Sequence, residues 1–198
     1  MKYLLRKAGF PFIYIIFMAT IALGINQIGG DNKLLKFALL VLNLSFYMFI
    51  VGSLAFKDGE DALNVRIAND LDRNEMIKTG IPKKLRLREE YKHYKGFLIG
   101  LVTCIPLIIL MAIHAFYYFS GSEYEGMGAI ADMLYNMITS FYKLFVTELT
   151  SVDYFFALVT IPVICLTTGI PYIIGGLRRE RQQLRIEEQQ RQLYGDRK

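Results

Sequence analysis

Apolar residues in this chain gather into four long runs, at about 10–28, 34–56, 97–119 and 154–177, with polar stretches between them. A helix rises about 1.5 Å per residue, so roughly 20 residues cross the roughly 30 Å hydrocarbon core of a bilayer, and each run predicts one membrane span. The run at 97–119, FLIGLVTCIPLIILMAIHAFYYF, is the plainest: it holds no Asp, Glu, Lys or Arg and leaves through Phe116, Tyr117, Tyr118 and Phe119. In the first run Pro11 falls where the opening helical turn is expected, a position that tolerates a missing amide hydrogen, and Gly29, Gly30, Asp31 and Asn32 supply a stop and turn. So short a connection predicts that the first two spans form an antiparallel helical hairpin. The basic head, with Lys2, Arg6 and Lys7, has the outline of a secretory signal. Its apolar run is longer than an ordinary signal core and lacks a small-x-small cleavage site, so it reads as an uncleaved span.

The polar stretches have their own patterns. Residues 57–95 carry ten Lys/Arg and eight Asp/Glu; Asp58, Glu60 and Asp61 open the stretch, and Lys78 precedes Gly80 and Pro82, the charge and breaker order of one helix. A second helical piece over 83–95, with Glu89 and Glu90 among Lys and Arg, leads into the third span and completes a helical hairpin. Over 129–149, Ile130, Met133, Leu134, Met137, Ile138, Phe141, Leu144, Phe145 and Leu149 recur at three- and four-residue steps. They lie opposite Asp132, Asn136, Thr139, Ser140, Lys143 and Thr147, which predicts an amphipathic helix. The charges at Asp132, Lys143 and Glu148 favour a helix lying in the interface or against the bundle over a fifth span. The tail, 178–198, is polar and rich in helix formers, with Glu187 and Arg191 at a favourable pairing distance. The expected fold class is therefore an all-α integral membrane protein, one membrane domain over 1–198. It has four transmembrane helices, a cytoplasmic helical hairpin and an outer amphipathic helix.

Charge decides the orientation. The head, the 57–95 loop and the tail hold 20 of the 23 Lys/Arg, so the positive-inside rule places all three, and both termini, in the cytoplasm of a plasma or inner membrane. The opposite side carries three bases against six acids. Composition agrees with segregation into zones: 54% of residues are hydrophobic, yet 23 basic and 18 acidic side chains must be kept in water. A soluble core cannot hide four such runs in a chain this short. The basic segments are expected to meet anionic lipid headgroups, with Arg178, Arg179 and Arg181 nearest the bilayer, which accounts for the pI near 9.1 without nucleic acid.

Candidate chemistry is sparse. Cys104 and Cys165 lie inside apolar runs and read as small packed hydrophobes, with no Cys-x-x-Cys pair. His93 and His114 belong to opposite sides and cannot share a metal; His114, near an outer helix end, is expected to find a local hydrogen-bond partner. Asp70, Asp72 and Asn74 match the start of a calcium loop, but Glu75 replaces its glycine and Ile81 its closing glutamate, so the match is rejected. No phosphate-cradling loop or nucleophile elbow occurs, and no catalytic, cofactor-binding or metal-binding residue is nominated. Within the spans, Gly96 and Gly100 predict close helix packing, Asn43, Thr103, Thr160, Thr167 and Thr168 are candidates for interhelical bonds, and Pro106, Pro162 and Pro171 predict kinks.

No Asp, Glu, Lys or Arg lies near the middle of any of the four spans, which counts against proton-coupled carriers, pumps and voltage sensors. The expected function is a non-catalytic multi-pass membrane protein, a subunit or scaffold of a larger complex, with other membrane subunits or copies of itself as partners and no cofactor. Two alternatives stand beside it: a small permease or channel-forming subunit, in which Asn43, Thr103 and Thr167 would line a wet cavity, and a lipid-processing enzyme, which needs clustered acid, base or metal-ligand groups.

Overall fold

A computed structural model describes residues 2–28, 32–120, 126, 129–130, 133–135 and 150–195. Its helices are α1 (Lys2–Ile28), α2 (Lys33–Thr79), α3 (Lys95–Ser120) and α4 (Thr150–Tyr194). Each of the four contains a segment long and apolar enough to cross a membrane. The expected amphipathic helix at 129–149 lies outside the described residues except for 129–130 and 133–135.

Three boundaries differ from the sequence reading. The basic head is not a leader to α1 but its first turns, so Pro11 sits inside the helix rather than at its start. Leu4, Leu5 and Ala8 favour helix, and Ala8 is buried, so packing outweighs the one main-chain bond that proline removes. Second, span two and the polar helix after it are one 47-residue helix, about 70 Å long. Asn32 caps its start by accepting from the Leu35 N–H at 3.1 Å. Gly80, at φ 71°, ends it in a left-handed turn whose N–H meets the Met76 carbonyl at 2.9 Å. Third, the expected second helical piece over 83–95 is absent: residues 80–94 return as extended chain and turns. Pro82 blocks an immediate restart, and the backbone groups of this limb are taken up by α2 instead, as described below. Helices α3 and α4 run without interruption through Pro106, Pro162 and Pro171.

Contacts along the helices fix their directions. Lys7 pairs with Asp58, and the Asn43 side chain donates to the Met18 carbonyl at 2.9 Å, so α1 and α2 are antiparallel, as the short connection predicted. Gly52 faces Pro171 and Gly59 faces Tyr172, while Arg179 donates to Asn64 at 2.6 Å, which makes α2 and α4 parallel. Gly96 lies against Gly169 and Tyr172, and Gly100 against Cys165 and Thr168, so α3 and α4 are antiparallel. This is an up-and-down four-helix arrangement, and it gathers the head, the 57–95 stretch and the start of the tail at one end.

Small residues hold the bundle together. A methyl group at Gly59 would overlap the main chain at Tyr172, and one at Gly175 would overlap the main chain at Phe56, so α2 and α4 touch backbone to backbone. Gly96, Gly100 and Gly169 bring α3 equally close to α4, with Phe97 lying over Gly169. Beside this seam a first core packs Ile15, Met18, Tyr47, Val51, Cys104, Leu107 and Ile164, one or more from each helix.

Replacing Gly59 by alanine is expected to lower stability by about 1–3 kcal/mol, because two backbones must separate to admit the methyl group. Alanine at Gly9 or Gly24, where nothing lies within 4 Å, is expected to be neutral or to stabilise by up to about 1 kcal/mol. Thermal unfolding in mild detergent distinguishes the three; equal shifts at all of them would count against a packed seam.

Candidate functional site

The polar end of the bundle is built around two stacked tyrosines. Tyr172 is fully buried where α4 crosses Gly59 and Gly96, and Tyr91 lies parallel to it with ring centroids 5.4 Å apart and planes 11° from parallel. Tyr91 reaches this place because its N–H donates to the Ala62 carbonyl of α2 at 3.0 Å, and Gly176 leaves room for its ring. Its hydroxyl is 3.1 Å from His93 Nδ1, and burial pushes the phenol up from its ordinary pKa. Ala55, Ala62, Leu63 and the two tyrosines form a second core, separate from the first and straddling the end of the apolar run of α2.

The returning limb is fastened by side chains that replace its missing helical bonds. Asn69, buried on α2, accepts from the Arg86 N–H at 3.0 Å and donates to Glu90 at 2.9 Å. Arg73 bridges Glu90 at 2.7 Å and Asp70 at 2.6 Å. Lys95, itself buried, donates to the carbonyls of Arg88, at 2.8 Å, and Glu90. Lys83 meets Glu75 at 2.6 Å and Asp72 at 3.1 Å, bonds that push its ammonium pKa up. The Asp70, Asp72 and Asn74 triplet therefore sits on continuous helix, with both aspartates paired to Arg or Lys, a geometry that cannot wrap a cation.

Within the apolar spans, four of the polar side chains singled out from the sequence, Asn43, Thr103, Thr167 and Thr168, meet main-chain carbonyls. Thr103 donates to Ile99 at 2.9 Å, Thr167 to Val163 at 2.8 Å and Thr168 to Ile164 at 3.1 Å, while Asn43 ties α2 to α1. His114 is buried and stacks on Tyr135 with ring centroids 3.9 Å apart, which places Tyr135 against α3. Cys104 lies in the first core.

Where α1 and α2 meet at the polar end, a cavity of about 330 Å³ opens to the side. Arg6, Lys57 and Asp61 stand at its charged margin, the Lys7–Asp58 pair lies within it, and Phe10 and Leu54 form its apolar side. This cavity has no direct sign in the sequence, because its walls come from residues about 50 apart and each charge alone reads as solvated surface. A signal was present in the position of Asp58 and Lys57 just past an apolar run, at the depth where the basic head of an antiparallel α1 must also lie.

No protein-family model, no curated protein and no solved structure matches this chain.

Substituting Asn69 by alanine is expected to free the limb at 86–91, raising amide exchange there by about tenfold or more and costing about 1–3 kcal/mol of stability, the range for orphaning buried hydrogen-bond partners. The exposed Asn74→Ala is the control, with no change expected. Hydrogen exchange followed by mass spectrometry makes the comparison.

Proposed function

We propose that this chain is a non-catalytic subunit or scaffold of a larger membrane complex, with both termini in the cytoplasm of a plasma or inner membrane. The observation that carries the reading is the uncovered end of α4. Every residue from 184 to 193 is exposed, including Leu184, Ile186 and Leu193, although the helix continues through Tyr194. A short helical segment gains most of its stability from packing, and among the described residues none covers this one. Ile186 and Leu193, seven residues apart, share one helical face and suit a helical partner. The 57–95 stretch, tied down by Tyr91, Asn69 and Lys95, supports the base of the same projection.

The orientation rests on the gathering of the three basic segments at one end of the bundle, together with their 20 of 23 Lys/Arg. Cysteines introduced at Asn74 and Gln190 should be shielded from an impermeant thiol reagent in intact cells, and one at Gln27 should react; labelling at Asn74 would reverse the assignment. For the partner, a photo-crosslinking residue at Ile186 or Leu193 in native membranes should give a discrete protein adduct. None is expected from the same residue at Leu42, on the outward face of span two. Lack of an adduct at both tail positions would sink the scaffold reading.

A further inference from the structure

The side cavity between α1 and α2 has a composition that neither core shares, and we infer that it holds the headgroup of one amine-bearing phospholipid from the leaflet at the basic end. The inference rests on the membrane placement proposed above and needs no protein partner. Its first support is depth. The cavity lies where the apolar run of α2 ends at Phe56 and the charged run begins at Lys57, which is the level of headgroups if the four spans cross a bilayer. Its second is shape: about 330 Å³ is at the small end of the roughly 300–1,000 Å³ typical of ligand sites, enough for a headgroup and glycerol but not for acyl chains. The chains have a path, because Phe10 and Leu54 line the cavity and are 62% and 39% exposed.

Charge selects the class of lipid. Lys7 and Asp58 neutralise one another inside the cavity. That leaves Arg6 and Lys57 as cations and Asp61 as an anion at the margin, all three exposed. A phosphate suits Arg6 and Lys57, which offer charge-assisted donors, and a primary ammonium suits the Asp61 carboxylate. A headgroup carrying phosphate alone would leave Asp61 facing like charge. A choline headgroup cannot donate a hydrogen bond to it.

The test uses the full chain, purified in mild detergent and stripped of lipid, with native mass spectrometry reading retained lipid. Phosphatidylethanolamine, phosphatidylglycerol and phosphatidylcholine of identical acyl chains are titrated separately. Phosphatidylethanolamine should bind tightest, and Arg6→Ala or Lys57→Ala should weaken it by about tenfold, as expected for losing a charge-assisted bond. Asp61→Asn should erase the preference over phosphatidylcholine, while Lys84→Ala, exposed and outside the cavity, should change nothing. The inference is overturned if phosphatidylethanolamine and phosphatidylcholine bind the unsubstituted chain alike, or if phosphatidylglycerol binds tightest. It fails equally if Lys84→Ala weakens binding as much as Arg6→Ala does. Soluble glycerophosphoethanolamine competing as strongly as intact lipid would assign the cavity to a water-soluble ligand and overturn the lipid. Because the isolated chain is used, these outcomes are separate from whether the tail finds a protein partner.

Discussion

Backbone contact between α4 and its two neighbours is the constraint on which the rest of this fold depends. Apolar side chains gain little by leaving lipid for one another, so helices of spanning length associate through close van der Waals packing, which requires small residues at the crossing. Gly59 against Tyr172, and Gly175 against Phe56, permit no side chain between α2 and α4. The register set there also places the Tyr172 ring, and the ring decides where Tyr91 can stack. Tyr91 in turn fixes the return of the chain from α2 to α3, so the polar end inherits its geometry from the packing of the spans.

The same reasoning explains which residues face outward. Phe46, Phe49, Leu42 and Leu54 are exposed on α2 while Asn43, Val51, Gly52 and Gly59 are buried, so size and shape, not hydrophobicity, distinguish the two faces. Four helices apolar enough to cross a membrane could be read from the sequence because apolar runs depend on composition alone. Which face of each packs could not, since an apolar helix offers little contrast between sides. Only Gly96 and Gly100 stood at a recognisable spacing; Gly52, Gly59, Gly169, Gly175 and Gly176 form an equal part of the seam without matching any short motif.

The polar end was legible in part, for a related reason. Local charge order and a Gly–Pro pair correctly gave a helix ending near Thr79, because caps and breakers act within a few residues. The next limb, rich in Lys, Arg, Glu and Leu, has the composition of a helix and is not one. Its amides and carbonyls are claimed by Ala62, Asn69 and Lys95, groups distant in sequence, and tertiary bonds outweigh a propensity of a few tenths of a kcal/mol per residue. The side cavity was equally hidden, since it exists only when Arg6 and Lys57 are brought to one level by the antiparallel pairing of α1 and α2.

Basic residues at that end divide into two groups with different work. Lys7, Arg73, Lys83, Lys95 and Arg179 turn inward to a carboxylate, an amide or main-chain carbonyls of the same chain. Arg6, Lys57, Arg181 and Arg185 instead stand exposed on cavity or groove margins. In an anionic bilayer the surface potential would act on the second group, at about 1 kcal/mol for each cation near the surface, while the first is already compensated within the fold. The positive charge left free to meet a surface is thus largely separate from the charge that holds the fold together. Removing an outward arginine should therefore alter how the bundle meets its leaflet without loosening the bundle, whereas removing Lys95 or Arg73 should do the reverse.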